Sequence, residues 1–526
     1  MAEEDFAKTL KTGISLSEIE SALESYTSSL QNLTFAKGIK TPIRESVCEI
    51  LRTRYLVMKK EIVVTKSLEL LLALSRDKIL TNTAAFDTKL LDLLLLIAQK
   101  DFKERKVNSL SLKCLSNIIY QTRDSNNLCS NKKFLSTIVT QLFKQEKCTH
   151  DEKVMLIRTL YLCTAFSSEG RKHLVEELNL RQLLLTFSKT CLDIESSSNT
   201  QNTISLKSSE LLNEVLKLLF NAFMDVQHAK IISQQTENEM KELLKICHEV
   251  YNVSFENDKI QQDIYLNASS AAYCIPQLHF DVDIFLPLDK NDESDKNPEK
   301  LRDTTPVKKL FEILEMYLKM EKLSDQTMII PIVAFFSLLS RLNSTVRKYL
   351  KTLILPPRKN FKLRPEEGDK TQHKLIKMLT SVNTKIKVSV AELLFVLCKE
   401  NSEKFVKHTG YGNAAGLLQS RGLLGMNVQN TDTCYSSDSE DSDTEEYKTV
   451  EHKIDPVTGH IPMPRANPME NMSDEQKEYL AVQLANQICK LDSNSAIQPM
   501  VVDEEGKLVT MRERVHNMKI DSENHD

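Results

Sequence analysis

The chain has 526 residues, a net charge of −4, and only 11 glycines and 14 prolines, less than half of the roughly 12% that soluble proteins usually devote to the two together. Between Ile43 and Ile275 there is one glycine, Gly170, and no proline, which disfavours β-sandwiches and barrels, whose turns need them, and doubly wound nucleotide folds, which need glycine beside phosphate. The balanced charge argues against a bulk electrostatic binder of nucleic acid.

In chain order, the start Met1–Lys8 is acidic and has no apolar stretch, so no secretory signal is expected. From about residue 15 to 424, apolar helical patterns alternate with short polar breaks: Ser67–Arg76, Leu110–Ile119, Met155–Cys163, Glu214–Asn221, Asp263–Asn267, Ile332–Leu339 and Ala391–Cys398. Anchored on Leu74, Leu115, Leu160 and Leu219, the first four recur at intervals of 41, 45 and 59 residues. The longest interval contains a polar insert, Asp193–Ser205, that reads as a surface loop. Periods near 40–47 belong to armadillo and HEAT arrays. The expected architecture is therefore all-α, an armadillo/HEAT-like solenoid over residues 1–425, with near-uniformly apolar helices sandwiched between neighbouring repeats. A second charged insert, Leu288–Pro306, reads as a disordered loop. The longest uncharged apolar stretch, Met328–Leu339, is too short to span a bilayer, so no membrane insertion is expected. The eleven cysteines are scattered without a C-x-x-C pair and read as reduced thiols of a cytoplasmic protein. Cys114, Cys163, Cys274 and Cys398 sit in apolar helical patterns as small hydrophobes.

Five of the eleven glycines fall between Gly410 and Gly425, the expected end of the array. Residues 426–471 read as an acidic, proline-containing linker, with six carboxylates and five hydroxyls between Tyr435 and Tyr447. Residues 472–492 read as an amphipathic helix, opened by the capping box Ser473-Asp-Glu-Gln476 and striped by Leu480, Leu484, Ile488 and Leu491. Residues 493–526 read as a mostly disordered tail. An amphipathic helix beyond a disordered linker has nothing local to bury against and points to a groove on a partner.

The constellations of familiar enzymes are missing. There is no phosphate-binding P-loop, dinucleotide fingerprint, H-E-x-x-H or nucleophile elbow, and Gly410-x-Gly412-x-x-x-Gly416 has the wrong spacing to cradle a phosphate. Cys247-His248 and His408 lack companions at ligand spacing, so neither a metal nor any other cofactor is implied. Function by binding is the expectation, and three features bear on it. Asn117 and Asn221 hold equivalent places late in apolar helices, where an amide either grips the backbone of an inserted peptide or is satisfied within the solenoid. Arg347, Lys348, Lys351, Arg358, Lys359, Lys362 and Arg364 form a basic block with no acid among residues 344–365, either a solvated face or a dock for an acidic or phosphorylated segment. Ser437 and Ser442 each have a glutamate three residues later, the pattern an acid-directed kinase reads, unless the run is simply a solvated linker.

These stretches resemble the synembryns, cytosolic exchange factors and folding chaperones for heterotrimeric G-protein alpha subunits. The likeness is closest in Leu355-Pro-Pro, Arg364-Pro-Glu-Glu-Gly-Asp369, Ala391–Cys398, Thr409-Gly-Tyr-Gly-Asn-Ala-Ala-Gly-Leu-Leu418, Asp443–Tyr447, Asn467-Pro-Met-Glu-Asn-Met, Asp474–Tyr479 and Ile497-Gln-Pro-Met500, all in order. It is thinner at Leu74–Asp77, Ser111–Leu115 with Asn117, and Leu216–Asn221. The resemblance implies a concave groove that holds the alpha subunit's C-terminal helix through Arg76, Asn117 and Asn221. It also implies a clasp formed by Glu475, Tyr479, Leu480, Leu484, Ile488 and Leu491, and phosphosites at Ser437 (or its neighbour Ser436) and Ser442, for which Arg347, Lys348, Lys351, Arg358 and Arg364 are the expected dock. Leu72 stands four residues before Arg76, where the family pattern has a second arginine. A monomer, cytoplasmic and recruited to the cell cortex by its lipidated partner, is the implied state. The competing expectation is a generic armadillo adaptor that grips an extended peptide such as a transport signal.

Overall fold

The computed structural model describes residues 3–12, 15–30, 41–122, 125–144, 148–192, 203–229, 232–288, 302–320, 326–423, 445–462, 472–493, 500–502 and 508–510. Eight helices form an inner ladder: α1 (Leu16–Leu30), α2 (Glu61–Leu74), α3 (Lys106–Gln121), α4 (His150–Phe166), α5 (Leu206–Phe223), α6 (Asp258–Tyr273), α7 (Ile329–Leu342) and α8 (Thr384–Leu397). Each packs on the next, from α1 to α8. An outer layer backs them, including Thr88–Gln99 against α3, Leu180–Leu192 against α5 and Gln234–Asn252 against α6. Leu74, Leu115, Leu160 and Leu219, the four anchors of the repeat, are fully buried on α2 to α5. The all-α solenoid expected from the spacing is the fold observed.

Local chemistry starts and stops these helices. Thr149 and Glu152 form a capping box at α4, each side chain bonded to the other's backbone N–H. Ser205 caps α5 by accepting from Ser208 N. On α3, the buried Asn108 amide donates to the carbonyls of Ala98 and Lys100, closing the end of the outer helix Thr88–Gln99. Gly170 is forced by close approach, because a Cβ there would lie 2.0 Å from the Cys129 carbonyl oxygen. At the amino end, buried Arg44 bridges Glu3 and Asp77, each at 3.0 Å, and so ties the short helix Glu3–Thr12 to the loop after α2.

The inserts differ from simple loops at their edges. Residues 193–202 and 289–301 lie outside the described residues, but Thr203–Ile204 pairs in parallel with Ser254–Phe255, and Leu288 bridges Arg302. Among the described cysteines, Cys114, Cys163, Cys274 and Cys398 are buried, and burial pushes the Cys274 thiol up to about 12. No helix among the described residues is long and apolar enough to cross a membrane.

After α8 the chain turns through two left-handed residues, Lys399 (φ 58°) and Glu400 (φ 54°), a costly conformation for side-chain-bearing residues. The turn brings the Glu400 carboxylate 2.8 Å from Arg341 of α7. Two short helices close the array, α9 (Ser402–Thr409) and α10 (Tyr411–Ser420), joined at Gly410. Gly422 (φ 69°) ends α10 in a Schellman-type cap, with Leu423 N bonded to Leu418 O.

Residues 445–460, within the span assigned to the linker from sequence, pack against this end, and the compact unit runs from Met1 to His460. The segment comprises α11 (Glu445–Val450), a 3₁₀ turn and a tight Asp455–His460 turn. The second unit, Ile461–Asp526, contains α12 (Asp474–Ser493) and an antiparallel pair, Met500–Val502 with Leu508–Thr510.

Candidate partner-binding site

Four successive helices of the inner ladder each carry an aromatic residue that is not fully buried. Tyr120 on α3 is 61% exposed, Tyr161 on α4 and Phe220 on α5 are half-buried, and Tyr273 closes α6 at 40% exposure. Two pockets lie between successive rungs. One, about 280 Å³, has a mixed wall, with Lys113, Asp151, Glu210 and Asn213 beside Val154, Met155 and Ile260. The other, about 480 Å³, is walled by Tyr273, Pro276, Leu338 and Val388, with Arg341 and Glu392 on its rim. Exposed aromatic rings beside fixed polar groups are the composition of a protein-binding surface.

The residues selected from sequence fall unevenly on this face. Arg76 is exposed, donating from Nη2 to Leu30 O (2.6 Å) and from Nε to Ala73 O (3.2 Å), so it also caps α1 and α2. Half-buried Asn117 donates to Ser75 Oγ at 3.1 Å. Asn221 is only 4% exposed and gives its amide hydrogens to Tyr161 O (3.1 Å) and Thr164 Oγ1 (2.9 Å). The two asparagines are structurally equivalent, each fastening its rung to the one before. Aromatic rings stand beside them, exposed Tyr120 near the first and half-buried Phe220 next to the second. Sequence reasoning singled out the amides and passed over these rings, whose signal was an aromatic one to three residues away in an otherwise aliphatic helix.

At the carboxyl end the basic block divides. Arg347 is 4% exposed and donates to Ser340 O at 3.0 Å, so it also caps α7. Lys348 and Lys351 are half-buried, whereas Lys359, Lys362 and Arg364 are exposed. Arg358 stacks on Phe361, 5.2 Å to the ring centre, and donates to Leu363 O and Gly459 O. Lys407 joins this cationic zone, its ammonium 3.6 Å from the centre of the Tyr447 ring. It lies on α9, outside the span scanned for a basic run. His408, half-buried beside it, has its imidazole pushed down to about 3 by desolvation first and then by Lys351, Lys407 and Arg358. Ser437 and Ser442 lie outside the described residues. Cys247 and His248 hold structural bonds, to Ala268 O and Phe285 O.

On α12 the capping box is present: Gln476 N is bonded to Ser473 Oγ, and Ser473 N to Gln476 Oε1, both at 3.3 Å. Glu475, Tyr479, Leu480 and Leu484 are exposed, the tyrosine by 65% and Leu484 by 60%. Ile488 and Leu491 belong to the helix, but their side chains lie outside the described residues.

A family model described as guanine nucleotide exchange factor synembryn matches residues 67–507. Among curated relatives, Chaperone Ric-8A of Xenopus laevis is 32% identical over 420 residues, covering 78% of this chain and 76% of its own. The Gallus gallus protein of the same name is 31% identical with the same coverages. That of Danio rerio is 30% identical, covering 76% and 74%.

Proposed function

Because the chain belongs to the synembryn family of guanine nucleotide exchange factors, we propose that it is an exchange factor and folding chaperone for heterotrimeric G-protein alpha subunits, acting through the groove on α2–α8 and through α12. The observation that carries this is the continuous ladder of inner helices with exposed tyrosines on α3 and α6, a long seat suited to an amphipathic helix such as the one that ends an alpha subunit. Arg76, Tyr120, Phe220 and Tyr273 are the proposed contacts there. Glu475, Tyr479, Leu480, Leu484, Ile488 and Leu491 are the proposed clasp.

No reacting group is needed. A protein that binds the empty alpha subunit more tightly than its GDP-bound form weakens GDP affinity by the same factor, because binding free energies are linked. Holding the partner's C-terminal helix removes it from the packing that shapes the guanine pocket. GTP then fills the pocket and the pair separates. The same preference for an empty, labile subunit is chaperoning, since binding one folded state draws the folding equilibrium toward it. An acid-directed kinase modifying Ser437 and Ser442 would add about −1.5 to −2 charges at each, for which Arg347, Lys348, Lys351, Arg358 and Arg364 are the proposed dock. The protein is proposed to act as a cytoplasmic monomer drawn to the cell cortex by its lipidated partner.

Mixing the full chain with a GDP-bound alpha subunit is expected to give a complex without nucleotide on gel filtration, which a non-hydrolysable GTP analogue dissolves. A generic adaptor would bind alike in every nucleotide state, and that outcome would remove this function.

A further inference from the structure

Where the outer helices Thr305–Leu318 and Thr371–Met378 meet, there is a recess of about 250 Å³. Phe311 and Leu318 give it an apolar side, and Lys319, Lys370 and Lys374 also line it. None of these three lysines forms an ion pair among the described residues. Two carboxylates share the wall: Glu315, which accepts from Thr371 Oγ1 at 2.7 Å, and exposed Asp369. The recess lies at the amino end of the helix Thr371–Met378. Lys370 is the N-cap and no side chain caps the helix, so its first N–H groups have no partner within it and carry the positive end of its dipole. Gln372, in that first turn, lines the recess, is only 5% exposed, and its Nε2 has no hydrogen-bond partner. A buried amide donor without an acceptor is costly, and an acceptor bound in the recess relieves that cost. Uncapped N–H groups, an unused amide donor and ammonium groups without counter-ions together make the donor set of a phosphate site.

The same helix leads into a loop with a different character. Val382, at 96%, is the most exposed large apolar side chain among the described residues, and exposed Lys377 and Lys385 stand on either side of it in the chain. Between Asp369 and Glu392 there are five lysines and no acid. We infer that the recess binds the terminal phosphate of a phosphorylated lipid headgroup, with Val382 touching the same membrane surface. A phosphate monoester presents three oxygens to converging donors, whereas a diester is screened on two sides, so headgroups of the phosphoinositide kind are the class that fits. Free phosphate offers the recess the same chemistry. A membrane adds a partner for an apolar tip flanked by lysines, at the far end of a helix ~12 Å long.

The test offers the full-length, unphosphorylated chain three probes: phosphatidylcholine vesicles containing a phosphoinositide, vesicles of matched charge containing phosphatidylserine, and the soluble inositol phosphate of the same headgroup. Preferential sedimentation with the phosphoinositide vesicles is expected. At about fivefold per lysine near an anionic surface, Lys370→Gln with Lys374→Gln is expected to weaken that binding about 25-fold, and to weaken binding of the soluble headgroup as well. Lys377→Gln with Lys385→Gln, of equal charge, and Val382→Ser are expected to weaken vesicle binding alone. Gln372→Leu is expected to weaken binding of both vesicles and headgroup without lowering the denaturation midpoint, a combination that a merely structural glutamine would not give. Equal binding to both kinds of charged vesicle, with no effect of Gln372→Leu, overturns the phosphate site in favour of diffuse charge. If Gln372→Leu does not fold, the two lysine pairs decide, and an equal loss of headgroup binding from each overturns the site. Binding of the soluble headgroup, or of a phosphorylated Tyr435–Tyr447 peptide, without binding of phosphoinositide vesicles overturns the lipid as its source. No alpha subunit enters these measurements, so their failure is distinct from failure of the exchange function.

Discussion

At the scale of single residues, side chains that looked alike from sequence separate into those that hold the array and those that face outward. Asn221 is buried with two bonds to the rung before it, so Asn221→Ala is expected to lower stability by about 1–3 kcal/mol, seen as a fall in denaturation midpoint. Tyr120, largely exposed, is expected to behave oppositely, with Tyr120→Ala leaving the midpoint within about 0.5 kcal/mol while weakening alpha-subunit binding. His408 supplies the clearest pH dependence. Its folded value near 3 lies below the ordinary value of 6.5, so the unfolded chain takes up a proton that the folded one refuses. Stability from this group is full above pH 6.5 and declines as pH falls toward 3. At pH 5 the loss is about 1–2 kcal/mol, and in His408→Gln the stability difference between pH 7.5 and pH 5 shrinks by that amount. The sequence displayed these residues without their neighbours, which is why the amide of Asn221 could be read equally as a contact or as a fastening within the array.

At the scale of elements, apolar periodicity and caps were legible and backbone docking was not. The spacing of Leu74, Leu115, Leu160 and Leu219 located four rungs because burial between neighbouring repeats demands an apolar residue at every turn, and that demand is written in residue type. The capping box at Ser473 was equally plain, since it depends on two side chains three apart. Ser473→Ala is expected to cost α12 about 1 kcal/mol, read as reduced helical circular dichroism in a peptide of residues 472–493. The return of 445–460 to the end of the array was hidden, because it is made largely by carbonyls and N–H groups of glycine-bearing segments, which leave no pattern of side chains. The glycine cluster was visible and reads as the end of the array, while the compact unit continues to His460.

At the scale of the whole molecule, fold, family and chemistry converge on work done by binding. The chain commits its glycine-poor stretch to a ladder with one contiguous core from Phe6 to Leu418 and carries α12, the proposed clasp, in a separate unit. Linkage then turns preferential binding of an empty alpha subunit into accelerated nucleotide release. The most direct measurement is the rate of GDP release from a purified, GDP-loaded alpha subunit, with and without the full-length protein and its Leu480→Asp/Leu484→Asp variant. The account predicts release that rises with the concentration of the full-length protein and a clearly smaller rise with the variant. Release unchanged by the full-length protein, for every class of alpha subunit offered, would contradict it.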